Sequence, residues 1–345
     1  MTRTQWWKQG YYLALVAALI LMPLSALAQV IPSGQVLTRV VQEAYDKFKD
    51  IKDGAPADYI PELAKVPADL FGVAIVTARG DVYTEGDVDY AFSIQSVSKP
   101  FTAALVMQDY GSADVILQKI GVEPTGQKFN SILATQIIPQ VSVNPLVNSG
   151  AIASVSLVKA KNKEERFDRI MKFFQQLAAD KLTVIEDVYQ SEAATNQRNR
   201  AHAYILFASD RIYSEPMEAV DVYTRQCSIG VTAKQLAVMG ATLANSGMNP
   251  ITHQRVVESK YVPRTLALMM TAGFYNESGL WAYTAGLPAK TGVGGGIVAV
   301  VPGKMAIVGF SPRVNDAGNS VRSMKAIEYI SDQLGVNLFG SGRGD

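Results

Sequence analysis

Strand-forming runs stand near the two ends of this chain, and a long stretch of helical pattern separates them. Phe71-Gly72-Val73-Ala74-Ile75-Val76-Thr77 has the continuous apolar character of a buried strand. Ala78-Arg79-Gly80-Asp81 reads as its turn, and residues 82–86 run back as a hairpin. Far downstream, residues 296–301 and 304–310 flank Pro302-Gly303 in a second hairpin. Between residues 110 and 250 strand pattern is scarce and apolar residues recur at helical spacing. The economical solution joins both hairpins in one antiparallel sheet. Helices predicted over 36–52 and 320–334 flank that sheet, and the central helices form a second lobe. The expected class is α+β, with a sheet subdomain from 29–95 and 251–339, a mostly helical subdomain over 96–250, and a cleft between them. The Gly-Ser-Gly-Arg-Gly-Asp tail, 340–345, reads as disordered.

The N-terminus has a different purpose. Arg3 and Lys8 precede an apolar run over 13–22 that is too short to span a bilayer, Pro23 breaks it, and Ala26-Leu27-Ala28 offers a small-x-small cleavage site. Residues 1–28 therefore read as a cleaved secretory signal peptide, with an uncleaved anchor as the alternative. The expected location is periplasmic or secreted, without membrane attachment after cleavage. Loss of Arg3 and Lys8 turns a formal charge of +1 into −1, so no basic footprint for nucleic acid exists.

Cys227 is the single cysteine, which leaves the exported fold without an internal disulfide and fits a buried small hydrophobe. With only His202 and His253, Ser-His or Cys-His chemistry and a His- or Cys-rich metal site are disfavoured. If the chain is catalytic, a lysine or tyrosine must handle the proton, and neither a metal nor an organic cofactor is expected.

Phe92-Ser93-Ile94-Gln95-Ser96-Val97-Ser98-Lys99-Pro100-Phe101 supplies such a pair. On a helix, Ser96 and Lys99 share a face, and a desolvated neutral lysine can take the serine proton. Pro100 places Ser96 near a helix start, among N–H groups able to hold an oxyanion. The spacing alone is weak, because Ser156 and Lys159 repeat it; that second pair is expected on a helix surface. Lys290-Thr291-Gly292, introducing the late hairpin, strengthens Ser96. Ser-x-x-Lys on a helix followed by Lys-Thr-Gly on a strand resembles serine β-lactamases and penicillin-binding proteins. Their Ser-Asp-Asn is missing, however, since Ser209-Asp210-Arg211 lacks the Asn.

Three strings redirect the reading: Gln95-Ser96-x-x-Lys99-Pro100, Asn144-Pro145-x-Val147-Asn148-x-Gly150-Ala151-Ile152, and Leu287-Pro288-Ala289-Lys290-Thr291-Gly292-Val293. With them the chain closely resembles the serine-dependent glutaminase family from Ala57 to Val321. That resemblance implies a β-lactamase-like fold and hydrolysis of L-glutamine to L-glutamate and ammonia. By position Ser96 matches the nucleophile, Lys99 its base, Tyr275 the tyrosine that helps move the proton, and Tyr223 the tyrosine beside the reacting amide. Tyr59, Asn148, Glu192 and Asn199 match residues holding the amino-acid end, and Val293 matches the backbone oxyanion donor. A homo-oligomer, dimer or tetramer, is implied as well. Two other readings stay open on the residues: a β-lactamase- or penicillin-binding-protein-like hydrolase, and a non-catalytic exported amino-acid-binding protein.

Overall fold

The computed structural model describes residues 31–137 and 143–340. The expected signal peptide, and residues 341–345 of the expected tail, lie outside these described residues. Helix α1 (Gly34–Phe48) starts at Ser33, whose side chain accepts from the Val36 N–H, and turns Leu37, Val40, Val41 and Ala44 inward. It ends earlier than its predicted limit because the chain leaves the helix to make a bridge between Ala55 and Val314. The first hairpin is β1 (Gly72–Thr77) and β2 (Val82–Gly86), followed by the short β3 (Phe92–Ser93). A 3-10 turn (Gln95–Ser98) leads into α2 (Lys99–Tyr110).

The helical middle comprises α3 (Asp114–Lys119), α4 (Ile132–Ile137), α5 (Asn148–Leu157) and α6 (Lys163–Ala178). After β4 (Thr183–Val184) come α7 (Glu186–Thr195), α8 (Gln197–Ala208) and α9 (Pro216–Cys227). Then β5 (Ile229–Val231) precedes α10 (Ala233–Ala244), α11 (Val262–Ala272) and α12 (Ser278–Thr284). The chain closes with β6 (Ala289–Thr291), β7 (Gly296–Val301), β8 (Met305–Phe310) and α13 (Val321–Leu334). Asn162 caps α6 by accepting from the Glu165 N–H, as its spacing predicts, and Gly335 ends α13 in a left-handed conformation.

The two hairpins do join. The main sheet runs β2-β1-β8-β7-β6 with every neighbour antiparallel, and Gly72 pairs with Gly86 on one side and Phe310 on the other. Helices α1 and α13 pack on one face, and α10 packs against β1, β7 and β8. All residues of β1, β7 and β8 are buried, as strands covered on both faces must be. A second sheet of order β3-β5-β4 was not expected; its strands have two or three residues each.

One expectation is corrected here. Ser156 is not on a helix surface: it is buried in α5, donates to Ala153 O at 2.7 Å and accepts from the Tyr213 N–H. A bond to the preceding turn satisfies its hydroxyl, so it has no use for Lys159, whose ammonium lies over the Tyr110 ring.

Candidate active site

Ser96 stands in the 3-10 turn immediately before α2, not on the helix itself, with Pro100 in the first helical turn. Lys99 closes the turn by donating its N–H to Ser96 O, which brings the two side chains to the same corner. Gln95 takes φ 47°, a left-handed conformation that costs a residue with a Cβ about 1 kcal/mol or more. Buried hydrogen bonds hold it there. Ser98 Oγ donates to Gln95 O at 2.7 Å, Gln226 Nε2 donates to Ser98 Oγ at 2.9 Å, and Thr102 Oγ1 donates to Gln226 Oε1 at 2.7 Å. Gln226 belongs to α9, so the same helix that presents Tyr223 braces the serine turn.

Asn148, at the start of α5, is the hub of the polar network. Its Oδ1 accepts from Lys99 Nζ at 2.7 Å and from the Tyr223 hydroxyl at 3.2 Å, and its Nδ2 donates to Asn199 Oδ1 at 2.9 Å. Helix α5 starts where it does because the chain folds tightly over it: a Cβ at Gly150 would meet Asn144 O at 1.8 Å. Only glycine fits, which explains the spacing of the Asn144–Gly150 string. Glu192 on α7 accepts from Gln95 Nε2 at 3.1 Å.

Tyr59, Gln95, Ser96, Asn148, Glu192, Asn199 and Tyr223 line one cleft of about 410 Å³. Lys99 and Tyr275 lie behind its wall, both buried. Tyr59 is half exposed at the rim, 6.2 Å from the Phe129 ring. Val293 lines an adjoining cavity of about 330 Å³ that shares Tyr59, Lys128, Phe129 and Asn130 with the cleft. Its loop is nevertheless against the serine turn, because a Cβ at Gly292 would touch Val97 N at 3.2 Å and Ile94 O at 3.1 Å. Neither the Ser96 nor the Val293 backbone N–H has a hydrogen-bond acceptor among the described residues. A backbone N–H left without an acceptor near a reactive hydroxyl is suited to receive an oxyanion.

Burial sets the protonation of the site. It lowers Lys99 to about 7, with nearby Cys227 and Glu192 opposing, so a neutral amine is available near pH 7. Burial also raises Glu192 to about 7, against the Gln95 hydrogen bond and the Lys99 charge. Tyr275 is pushed up by burial, the Ser96 hydroxyl opposing; its own hydroxyl has no hydrogen bond of ordinary geometry among the described residues. Lys290 is fully buried, donates to Gly273 O at 3.0 Å and Thr291 O at 2.7 Å, and lies 4.0 Å from the centre of the Tyr275 ring. Lys290 is therefore an interior residue of the site and not a surface one.

A lysine amine and a phenol near one serine hydroxyl suit acyl transfer at a carbonyl. A glutaminase family model matches residues 54–339. The chain belongs to the glutaminase family. A glutaminase of Colwellia psychrerythraea is 50% identical over 308 residues, covering 89% of this chain and 99% of that protein. Glutaminase 1 of Escherichia coli strain K12 is 49% identical, covering 88% and 97%. Among solved structures, the probable glutaminase ybaS matches with a TM-score of 0.88 at 48% identity, covering 89% of this chain and 99% of that one. Mglu in its glutamate form matches at 0.84 and 33%, covering 91% and 71%.

Within this glutaminase-family chain, sequence reasoning missed several residues of the cleft. Gln95, Phe129, Asn130 and Arg198 line it, and Gln226 braces it from behind. Gln95 stands inside the Ser96 string, but nothing in a sequence shows that a glutamine faces a carboxylate 97 positions away. No metal-binding group of His, Cys, Asp and Glu occurs among the described residues, nor any helix long and apolar enough to cross a membrane.

Proposed function

We propose that this chain hydrolyses the side-chain amide of L-glutamine to L-glutamate and ammonia through a Ser96 acyl-enzyme, on a β-lactamase-like scaffold. The observation that carries this reading is the Asn148 amide, which joins the proton-transfer side (Lys99, Tyr223) to the recognition side (Asn199). Glu192 takes the substrate ammonium, while Asn148, Asn199 and the Tyr59 phenol take the α-carboxylate. A match to a protein described in its glutamate form supports that assignment.

Neutral Lys99, with Tyr275, accepts the Ser96 proton as Oγ attacks the amide carbon. The oxyanion lies between the Ser96 and Val293 N–H groups, and Tyr223 stands beside the amide. The proton passes to the departing nitrogen, ammonia leaves, and a Ser96 ester remains. Water then attacks the ester, the same relay takes and returns its proton, and glutamate departs. A β-lactam substrate is disfavoured because Glu192 and Asn148 line the cleft, where they suit an amino acid.

Protein lacking residues 1–28 is expected to release ammonia from glutamine, and Ser96→Ala to stop it without loss of fold. Full turnover in Ser96→Ala, or nitrocefin as the better substrate, refutes the mechanism. The leader sequence supports export to the periplasm or medium, tested by N-terminal sequencing of the mature protein. The dimer or tetramer implied by the family is tested by light scattering.

A further inference from the structure

Tyr275 is a bulky aromatic at φ 57°, a conformation disfavoured for any residue with a Cβ. Its buried hydroxyl has no partner among the described residues to hold it in place. The ring packs against Phe129 and Lys290, and the backbone turn that carries it sets where the phenol can reach. That turn is the 3-10 segment Tyr275–Glu277. On one side Ser278 Oγ donates to Tyr275 O at 3.0 Å and accepts from the Phe274 N–H at 3.1 Å. On the other side the Glu277 carboxylate accepts from Asn315 Nδ2 at 3.1 Å and from Asn319 Nδ2 on the same oxygen.

Those two asparagines build the 315–319 loop. Asn315 Oδ1 accepts from the Ala317 and Asn319 N–H groups, each at 3.0 Å, and the Asn315 N–H donates to Asn319 O at 2.9 Å. The loop leaves no space at its tip: a Cβ on Gly318, at φ 85°, would stand 3.1 Å from Val293 Cγ1 and 3.4 Å from Phe129. Phe129 in turn lies 5.3 Å, ring to ring, from Tyr275. One carboxylate thus ties the tyrosine turn to the loop that backs the Val293 segment.

We infer that Glu277 is a positioning residue, which locks the Tyr275 turn to the Asn315–Asn319 loop and so fixes the phenol relative to Ser96 and the Val293 N–H. This rests on the role given to Tyr275 under Proposed function. Small displacements of a proton-transfer group cost rate more than binding, because the ground-state substrate does not depend on it.

Glu277→Gln keeps the side-chain size but offers an N–H₂ to the two asparagine amides. It is expected to lower kcat for ammonia release about 10- to 100-fold while KM stays within about twofold. In a Tyr275→Phe background the same substitution is expected to add no further loss, and a crystal structure of Glu277→Gln to show Tyr275 displaced. Wild-type kcat, losses that multiply in the double variant, or an unmoved Tyr275 overturns the inference. If Glu277→Gln does not fold, Asn319→Ala removes one donor and is judged by the same three readouts. A fully active Tyr275→Phe sinks the proton relay instead, and the position of Tyr275 in the Glu277→Gln crystal still decides the clamp.

Discussion

Glu192 shows what burying one carboxylate costs the fold. Burial raises its carboxyl to about 7 from an ordinary 4.5, so between those pH values the native state holds a proton that the unfolded chain has released. Stability therefore falls as pH rises through that window, and the full cost is present above it. Glu192→Gln is expected to raise stability at pH 8 by roughly 1–3 kcal/mol while weakening glutamine binding, read by thermal unfolding beside KM. Lys99 has the opposite slope. Burial lowers it from 10.5 to about 7, so the unfolded chain binds a proton that the native state lacks, and stability rises with pH across that range. In the proposed mechanism both groups must shed a proton for activity. The acid limb of kcat/KM is expected near pH 7, shared by the pair rather than owned by either. Once substrate ammonium pairs with Glu192, only Lys99 titrates in the complex, so Glu192→Gln should leave an acid limb in kcat. A flat kcat profile from pH 5 to 8 in that variant contradicts the assignment of Lys99 as base.

Helix α10 shows an element held by the absence of side chains. A Cβ at Gly240 would stand 2.6 Å from Val298 Cγ2 and 2.7 Å from Ala306 Cβ, both on the main sheet. Alanine normally favours a helix over glycine by about 1 kcal/mol. Here the clash dominates, and Gly240→Ala is expected to cost roughly 1–3 kcal/mol, measured by urea unfolding. Stability equal to or above wild type would show that α10 can lift from the sheet freely. Elements of this length were legible in the sequence. The hairpins, the Asn162 cap and the Gly335 stop all stand where turn and capping chemistry placed them, because those signals are local. The sheet of β3, β5 and β4 was not, since two or three residues carry no measurable period. In the site, Ser96, Lys99, Asn148, Glu192, Asn199 and Tyr223 were legible only along the sequence; their meeting at one cleft depends on α2, α5, α7, α8 and α9 coming together. Gln95 and Gln226 stayed hidden because positive φ and buried amide pairing are tertiary facts.

At the scale of the molecule, Arg322 at the start of α13 ties distant segments together. It is fully buried and donates to the carbonyls of Lys49, Ala68, Asp69 and Leu70 and to Ser311 Oγ. Removing it orphans several acceptors at once, so Arg322→Ala is expected to lose roughly 3 kcal/mol or more and to lower Tm by roughly 6–12 °C. An unchanged Tm would mean that water replaces the guanidinium without cost. The pairing of β1 with β8 has a consequence for how the chain comes to be folded. Strand β1 lies between β2 and β8, and Gly72 finds its second partner only at Phe310. As the polypeptide emerges from the ribosome, its first hairpin must wait, one edge unpaired, until Phe310 has been made. Contact order of this kind slows folding and leaves the nascent chain open to capture by chaperones until that strand is made.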